Sequence, residues 1–451
     1  MVISVVVLLS GCAAGVTVKV VQHPPWGEPW REATADEPGS LARLASGDLF
    51  DEMITRLMDR AHISALSAVI VQGDQVKWQQ GYGLYDRAIE KEAAPDTIFL
   101  VASISKTVTA TAVMQLQEQG LLNLDDDVNR YLPFSLRNPH HPQEPITLRM
   151  LLAHQSGLAT DPSSLWGTGM PCIPGTLEVR GYPLPFLRDY LVPEGVQYRP
   201  EVWTTDAPGE RGHYANFGFG VLGLVVERIS GLYFEQYCRE HIFAPLGMSD
   251  SSFFLQGVEI NRTAIPYQYA GGVYAPLLHY DMLHYPAGGL RTTVVDLSHF
   301  LVAHMNGGMY AGKRLLSPGS VEAMHTEQYP GGDYGLGFQL WGSGEGAEVG
   351  HTGGLFGVTT KMVFRPADGL GLILFTNAGP YDLRGLLAFS LIEQLMWWKA
   401  TGSPGELQMS SVENAALKNW HLMENGEVQE GDRLSLPEVL REVMDTRFGQ
   451  Q

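Results

Sequence analysis

A serine and a lysine three residues apart, Ser103 and Lys106, open an apolar run that ends at Gly120 in LVASISKTVTATAVMQLQEQG. Val108, Val113 and Leu116 follow with helical spacing, and positions i and i+3 of a helix share a face, so hydroxyl and amine can meet. The start of a helix also offers backbone N–H groups without partners and the positive end of the dipole. A serine so placed could lose its proton to the amine, with the backbone stabilising what it then forms. The plainer reading is an N-cap serine followed by a solvated lysine, and S-x-x-K alone matches many unrelated chains. Two further signals come later in the chain. One is HYANFG, with Tyr214 and Asn216 two residues apart; the other is GHTGG, with His351, Thr352, Gly353 and Gly354 at the start of a strand-like run. Taken singly, these would be a buried tyrosine, a cap and a surface or core histidine.

The elements that would carry these residues are readable from periodicity and punctuation. Asp48 caps a helix over 49–60. SALSAVIVQGDQVKWQQGYG gives two apolar runs around Gly73-Asp74, a hairpin signal. A short amphipathic helix lies in 146–158 and ends near Gly157, a buried helix runs over 217–229 and closes at Gly231, and Thr293 caps another. The C-terminal part changes character. YGLGFQLW, EVGHTGG, VTTKMVFRP and LGLILFTN read as strands separated by Gly-rich turns such as Asp368-Gly369, and a helix with an apolar face covers 382–399. Strands at both ends and helices between them give an α+β expectation: one antiparallel sheet formed by both chain ends, with flanking helices and a mostly helical inserted subdomain. The organisation is then a leader over 1–21, a linker over 22–47 rich in Pro, Gly and charge, one domain over 48–400 and a polar tail over 401–451.

The chain has 451 residues and a net charge of −19, with no Lys/Arg cluster, which argues against nucleic acid as a partner. No H-E-x-x-H or C-x-x-C occurs, so zinc hydrolase chemistry and a zinc ribbon have no support, and no cofactor is expected. No G-x-S-x-G occurs either. Of the three cysteines, Cys172 and Cys238 are expected as buried thiols or a pair. Cys12 ends LSGC, which resembles the bacterial lipobox; lipidation there would make an exported, periplasmic or cell-surface protein anchored at the membrane. Against that, no basic residue lies between Met1 and Cys12. Residues 159–209 form a long Pro- and Gly-rich stretch that would be a lid or binding loop, with Trp166, Tyr198 and Trp203 as candidates for an apolar acyl pocket, or a packed surface loop.

Ser103-x-x-Lys106, Tyr214-x-Asn216 and His351-x-Gly353, in that order, resemble the serine β-lactamase and penicillin-binding-protein superfamily. The branch is the one with Y-x-N and H-x-G, and LLAHQSGL, FAPLGMSDS and PAGGLRTTVVDLSHFL support it over roughly residues 50–395. The resemblance implies a serine hydrolase that forms an acyl-enzyme on Ser103. Lys106 and Tyr214 would manage its proton, Asn216 would hold Lys106 and the substrate, and the N–H groups of Ser103 and Gly354 would form an oxyanion hole. His351, Thr352 and Gly353 would line the binding edge. His154 and Ser156 match a family phrase but read as turn-forming, and Ser105 as a mere helical neighbour. Such enzymes usually carry lysine where this chain has His351, whose reference pKa near 6.5 leaves it mostly neutral. That favours a small ester, peptide or amide over a β-lactam. The alternative is a non-hydrolytic protein on the same fold that binds cell-wall fragments or acts as a scaffold.

Overall fold

The structure is a computed structural model, and it describes residues 47–159, 172–174, 184–379 and 383–402. Cys12, linker residues 22–46, Trp166 and tail residues 403–451 lie outside the described residues. The first helix, α1 (Gly47–Arg60), begins one residue before the expected cap. The predicted hairpin forms as β1 (Ala65–Gln72) and β2 (Gln75–Asp86), with a two-residue β3 (Lys91–Glu92) beyond it. From the other end come β4 (Gln339–Trp341), β5 (Glu348–Leu355), β6 (Val358–Arg365) and β7 (Leu370–Thr376). These join in one seven-stranded sheet in the order β4-β5-β6-β7-β1-β2-β3, antiparallel at every pairing. The seam is the β1–β7 ladder, where Leu66 pairs with Thr376 and Ile70 with Leu372.

Alternation along β1 explains why it is buried on both faces. Leu66, Ala68 and Ile70 join a core with Phe50 and Leu57 of α1 and Leu391 and Leu395 of α6 (Leu383–Thr401). Val69 and Val71 join the larger core on the opposite face. That core includes Leu297 and Leu301 of α5 (Val294–Met305), whose N-cap Thr293 accepts the Asp296 N–H as expected.

The helices that carry the chemistry lie in the inserted part. They are α2 (Ser105–Glu118), the short α3 (Leu148–Leu152) and α4 (Asn216–Ser230), which ends at a left-handed Gly231. The helix expected across 146–158 stops after one turn because His154 takes a left-handed conformation, φ 58°. Helix α2 is buried nearly all round rather than along one stripe. Its threonines tolerate this because their hydroxyls find carbonyls: Thr107 donates to Ile104, Thr109 to Pro286 and Thr111 to Thr107. Helices α2 and α4 pack together and both rest on the turn Tyr285–Ala287. A fully buried ion pair, Arg291 to Asp281 at 2.7 Å, ties the strand leaving that turn to the segment entering it.

Candidate active site

Ser103 does not sit in α2 itself. It is the middle residue of a 3₁₀ turn, Ala102–Ile104, that runs directly into α2. Ala102 is left-handed, φ 50°, an uncommon conformation for a residue with a Cβ. The tight turn is held by Ser105, whose hydroxyl donates to the Ala102 carbonyl at 2.6 Å and accepts the Leu290 N–H at 3.0 Å. Ser105 is therefore more than the helical neighbour expected from sequence: it braces the turn that presents Ser103. On the other side, Thr360 of β6 donates to the Val101 carbonyl at 2.9 Å.

Lys106 is fully buried beneath Ser103. Its Nζ lies 3.0 Å from Ser103 Oγ and donates to the Ala287 carbonyl at 2.7 Å. It also sits 4.8 Å from the centre of the Tyr214 ring. One helical turn thus brings the expected hydroxyl and amine together, and the extended segment before α4 brings the phenol ring to the same amine.

The third motif lies on β5. Its neighbour β4 pairs only as far as Gly350, so residues 351–355 run past the end of that strand and alongside the Ser103 turn. A cavity of about 890 Å³ opens here, and Ser103, Tyr214, Asn216, His351, Thr352 and Gly354 line it. Gly353, expected among the binding residues, does not. A Cβ there would stand 2.2 Å from Thr360 Oγ1 and 2.4 Å from the Val101 carbonyl oxygen, so this glycine lets β5 press against the nucleophile turn.

His351 Nδ1 lies 2.5 Å from the Thr352 carbonyl oxygen. A carbonyl only accepts, so Nδ1 carries the hydrogen and Nε2 is left as a buried acceptor with no partner. Burial, reinforced by the Lys106 charge, pushes the His351 pKa down to about 3. The residue is neutral at pH 7, as its type suggested, and burial makes it far more firmly so.

Other residues of the cavity carried no usable signal in the sequence. Met282 and Leu355 give it an apolar wall beside Ser103; Tyr334 and His154 wall the side near Tyr214. Tyr334 opens YGLGFQLW, read from sequence as a strand; the strand forms only over Gln339–Trp341, and Tyr334 precedes it. The aromatic acyl-pocket expectation is corrected in part. Trp203 is 4 % exposed, packs in the main core and donates its indole N–H to the Leu191 carbonyl, and neither it nor Tyr198 lines the cavity. Cys238 is a buried free thiol, with burial raising its pKa well above the ordinary value. His141, in the Pro-rich NPHHP loop, bonds to the Thr205 carbonyl at 2.9 Å.

Residues 50–394 match the family described as Beta-lactamase. PbpX of Bacillus subtilis (strain 168) is 29% identical over 281 residues, covering 61% of each chain. The chain thus spans less than two thirds of that relative. Among solved structures, the octameric penicillin-binding protein homologue from Pyrococcus abyssi superposes with a TM-score of 0.63 at 27% identity, covering 77% of both chains. The D-amino acid amidase from Ochrobactrum anthropi SV3 superposes with a TM-score of 0.61 at 23% identity, over 84% of this chain and 99% of that one, a likeness of fold. The sheet built from both chain ends with a helical insert is the β-lactamase and penicillin-binding-protein architecture.

Proposed function

This chain belongs to the beta-lactamase family of serine hydrolases, and from that premise we propose that it cleaves an uncharged carboxylic ester, or an amide, through an acyl-enzyme on Ser103. The observation that carries the reading is the 3.0 Å approach of Lys106 Nζ to Ser103 Oγ at the floor of an open cavity. A serine hydroxyl is a weak nucleophile until a base takes its proton. In the proposed sequence Ser103 Oγ attacks the acyl carbon while its proton passes to the Lys106–Tyr214 pair. The same proton then moves to the departing alkoxide or amine. A water, deprotonated by the same pair, attacks the acyl-enzyme, and the Ser103 oxygen recovers a proton as the acid leaves. The N–H groups of Ser103 and Gly354 would hold the oxyanion, and Asn216, first residue of α4, would orient substrate beside Lys106.

Substrate class follows from the neutral His351. A fixed cation in this position would hold a substrate carboxylate, whereas a neutral imidazole does not. Esters and amides without that carboxylate fit the site better than β-lactams. The test is a p-nitrophenyl acyl ester panel beside a chromogenic cephalosporin, run on the wild-type chain and on Ser103→Ala. Ester turnover lost in the variant is the expected result, together with covalent labelling of Ser103 by a fluorophosphonate. A folded protein that turns over neither substrate and refuses the fluorophosphonate would overturn the reading in favour of a binding protein.

A further inference from the structure

The segment that delivers Tyr214 has no cap of its own. Ala215 stands at the N-cap position of α4 with extended backbone, φ −136° and ψ 114°, and offers no side-chain cap. His154, from the broken end of the preceding short helix, holds the segment on both sides of the tyrosine. Its carbonyl accepts the His213 N–H at 2.7 Å, and its Nδ1 accepts the Ala215 N–H at 3.1 Å. Between these two bonds its ring lies against the Tyr214 ring, centroids 4.4 Å apart. Phe219 at 5.2 Å and Tyr334 at 4.7 Å pack other sides of the imidazole.

A backbone N–H only donates, so Nδ1 is the unprotonated nitrogen and the hydrogen sits on Nε2. Burial, then the Lys106 charge, keeps the ring's pKa well below the usual value. A ring that stays neutral and spends its lone pair on the backbone is suited to holding, not to shuttling protons. His154 is left-handed, φ 58°, a conformation uncommon for a residue with a Cβ.

We propose that His154 is a positioning residue that fixes the Tyr214 phenol over the Lys106 amine, acting by a two-sided backbone clamp and a ring contact. This rests on the role given to Tyr214 above, so the experiment measures that role separately. Glycine and asparagine both accept a left-handed backbone. H154G therefore removes the Nδ1 bond and the ring without backbone strain, leaving the main-chain bond to His213, and H154N keeps an oxygen that can accept the Ala215 N–H. Turnover of p-nitrophenyl butyrate and the rate of fluorophosphonate labelling are measured for both, for Y214F and for the double variants, with folding checked by circular dichroism. H154G is expected to lower kcat about 10- to 100-fold, the cost of a misplaced catalytic group, with KM within about threefold. H154N is expected to recover at least half of that loss on a logarithmic scale. In the Y214F background H154G is expected to add less than about twofold, because neighbours that act as a unit are not additive. A folded H154G enzyme with wild-type kcat, or losses that multiply in the double variant, would overturn the proposal. Should H154G not fold, the H154N–Y214F cycle decides by the same criterion of non-additivity. A fully active Y214F enzyme would instead remove the role of Tyr214, and the clamp's purpose with it.

Discussion

Replacing His351 by lysine should give the enzyme a preference for carboxylate-bearing substrates that it otherwise lacks. With a pKa of about 3, protonating His351 at pH 7 costs roughly 5 kcal/mol, at about 1.4 kcal/mol per unit. A substrate carboxylate about 4 Å away returns about 4 kcal/mol at the effective dielectric found near protein surfaces, and it must shed water to do so. The carboxylate therefore does not recruit a proton to this ring. The ring stays neutral, with Nδ1–H committed to the Thr352 carbonyl and Nε2 buried. For two p-nitrophenyl esters matched in chain length, one ending in methyl and one in carboxylate, the wild-type kcat/KM values should agree within about threefold or favour the neutral ester. His351→Lys adds a fixed charge, opposed in part by Lys106. A net gain of about 1.4 to 2.8 kcal/mol, or 10- to 100-fold in the carboxylate-to-neutral ratio, is expected. Added salt should erode that gain. A wild-type preference above about tenfold for the carboxylate ester would refute the argument. So would a His351→Lys enzyme that turns over the neutral ester with an unchanged ratio.

Gly353→Val would drive its side chain into the Val101 carbonyl and Thr360; we expect about 1–3 kcal/mol of lost stability, read as a lower urea midpoint, and slower fluorophosphonate labelling of Ser103. Arg291→Met would leave Asp281 buried without its cation, and removing one member of such a pair costs about 3–5 kcal/mol, measurable by chemical denaturation. His284 is buried, neither ring nitrogen has a hydrogen bond, and burial together with Lys106 holds its pKa near 3. Its pKa is depressed on folding, so its stabilising contribution is present above about pH 6.5 and is lost as pH falls toward 3. His284→Phe should therefore reduce the stability lost between pH 8 and pH 5 by about 2 kcal/mol; an unchanged difference between those two urea midpoints would contradict this. Met282→Ala should cut back the apolar wall beside Ser103, enlarge the cavity and shift the ester panel toward longer acyl chains, and an unchanged chain-length profile would remove Met282 from that role.

Much of this was legible in the residues because it depended on local rules. The Gly73-Asp74 turn, the Thr293 cap and the Gly231 stop are each decided within a few positions, and each formed where expected. The Ser103–Lys106 contact follows from one helical turn. What escaped depends on contacts between distant segments. Ser105 matters because Leu290 comes to it, and His154 because residues 213–215 come to it. Trp203 looked like a pocket residue by type, yet the Leu191 carbonyl draws it into the core. Gly353 belonged to a recognisable motif, and only the approach of Val101 shows that its missing side chain serves packing.

The seam between β1 and β7 also sets a timetable. Ala65 donates its N–H to the Asn377 side chain, a bond spanning 312 positions, and Leu66 pairs with Thr376 beside it. Contacts of such long range form late and slowly, because the loop between them must be closed first. During synthesis the nucleophile turn emerges before β5, which flanks it, and before β7, which anchors the sheet. A ribosome-bound chain thus carries Ser103 and Lys106 for a time without the edge that completes the cavity. The cavity around Ser103 is therefore complete only after β5 has taken its place in the sheet.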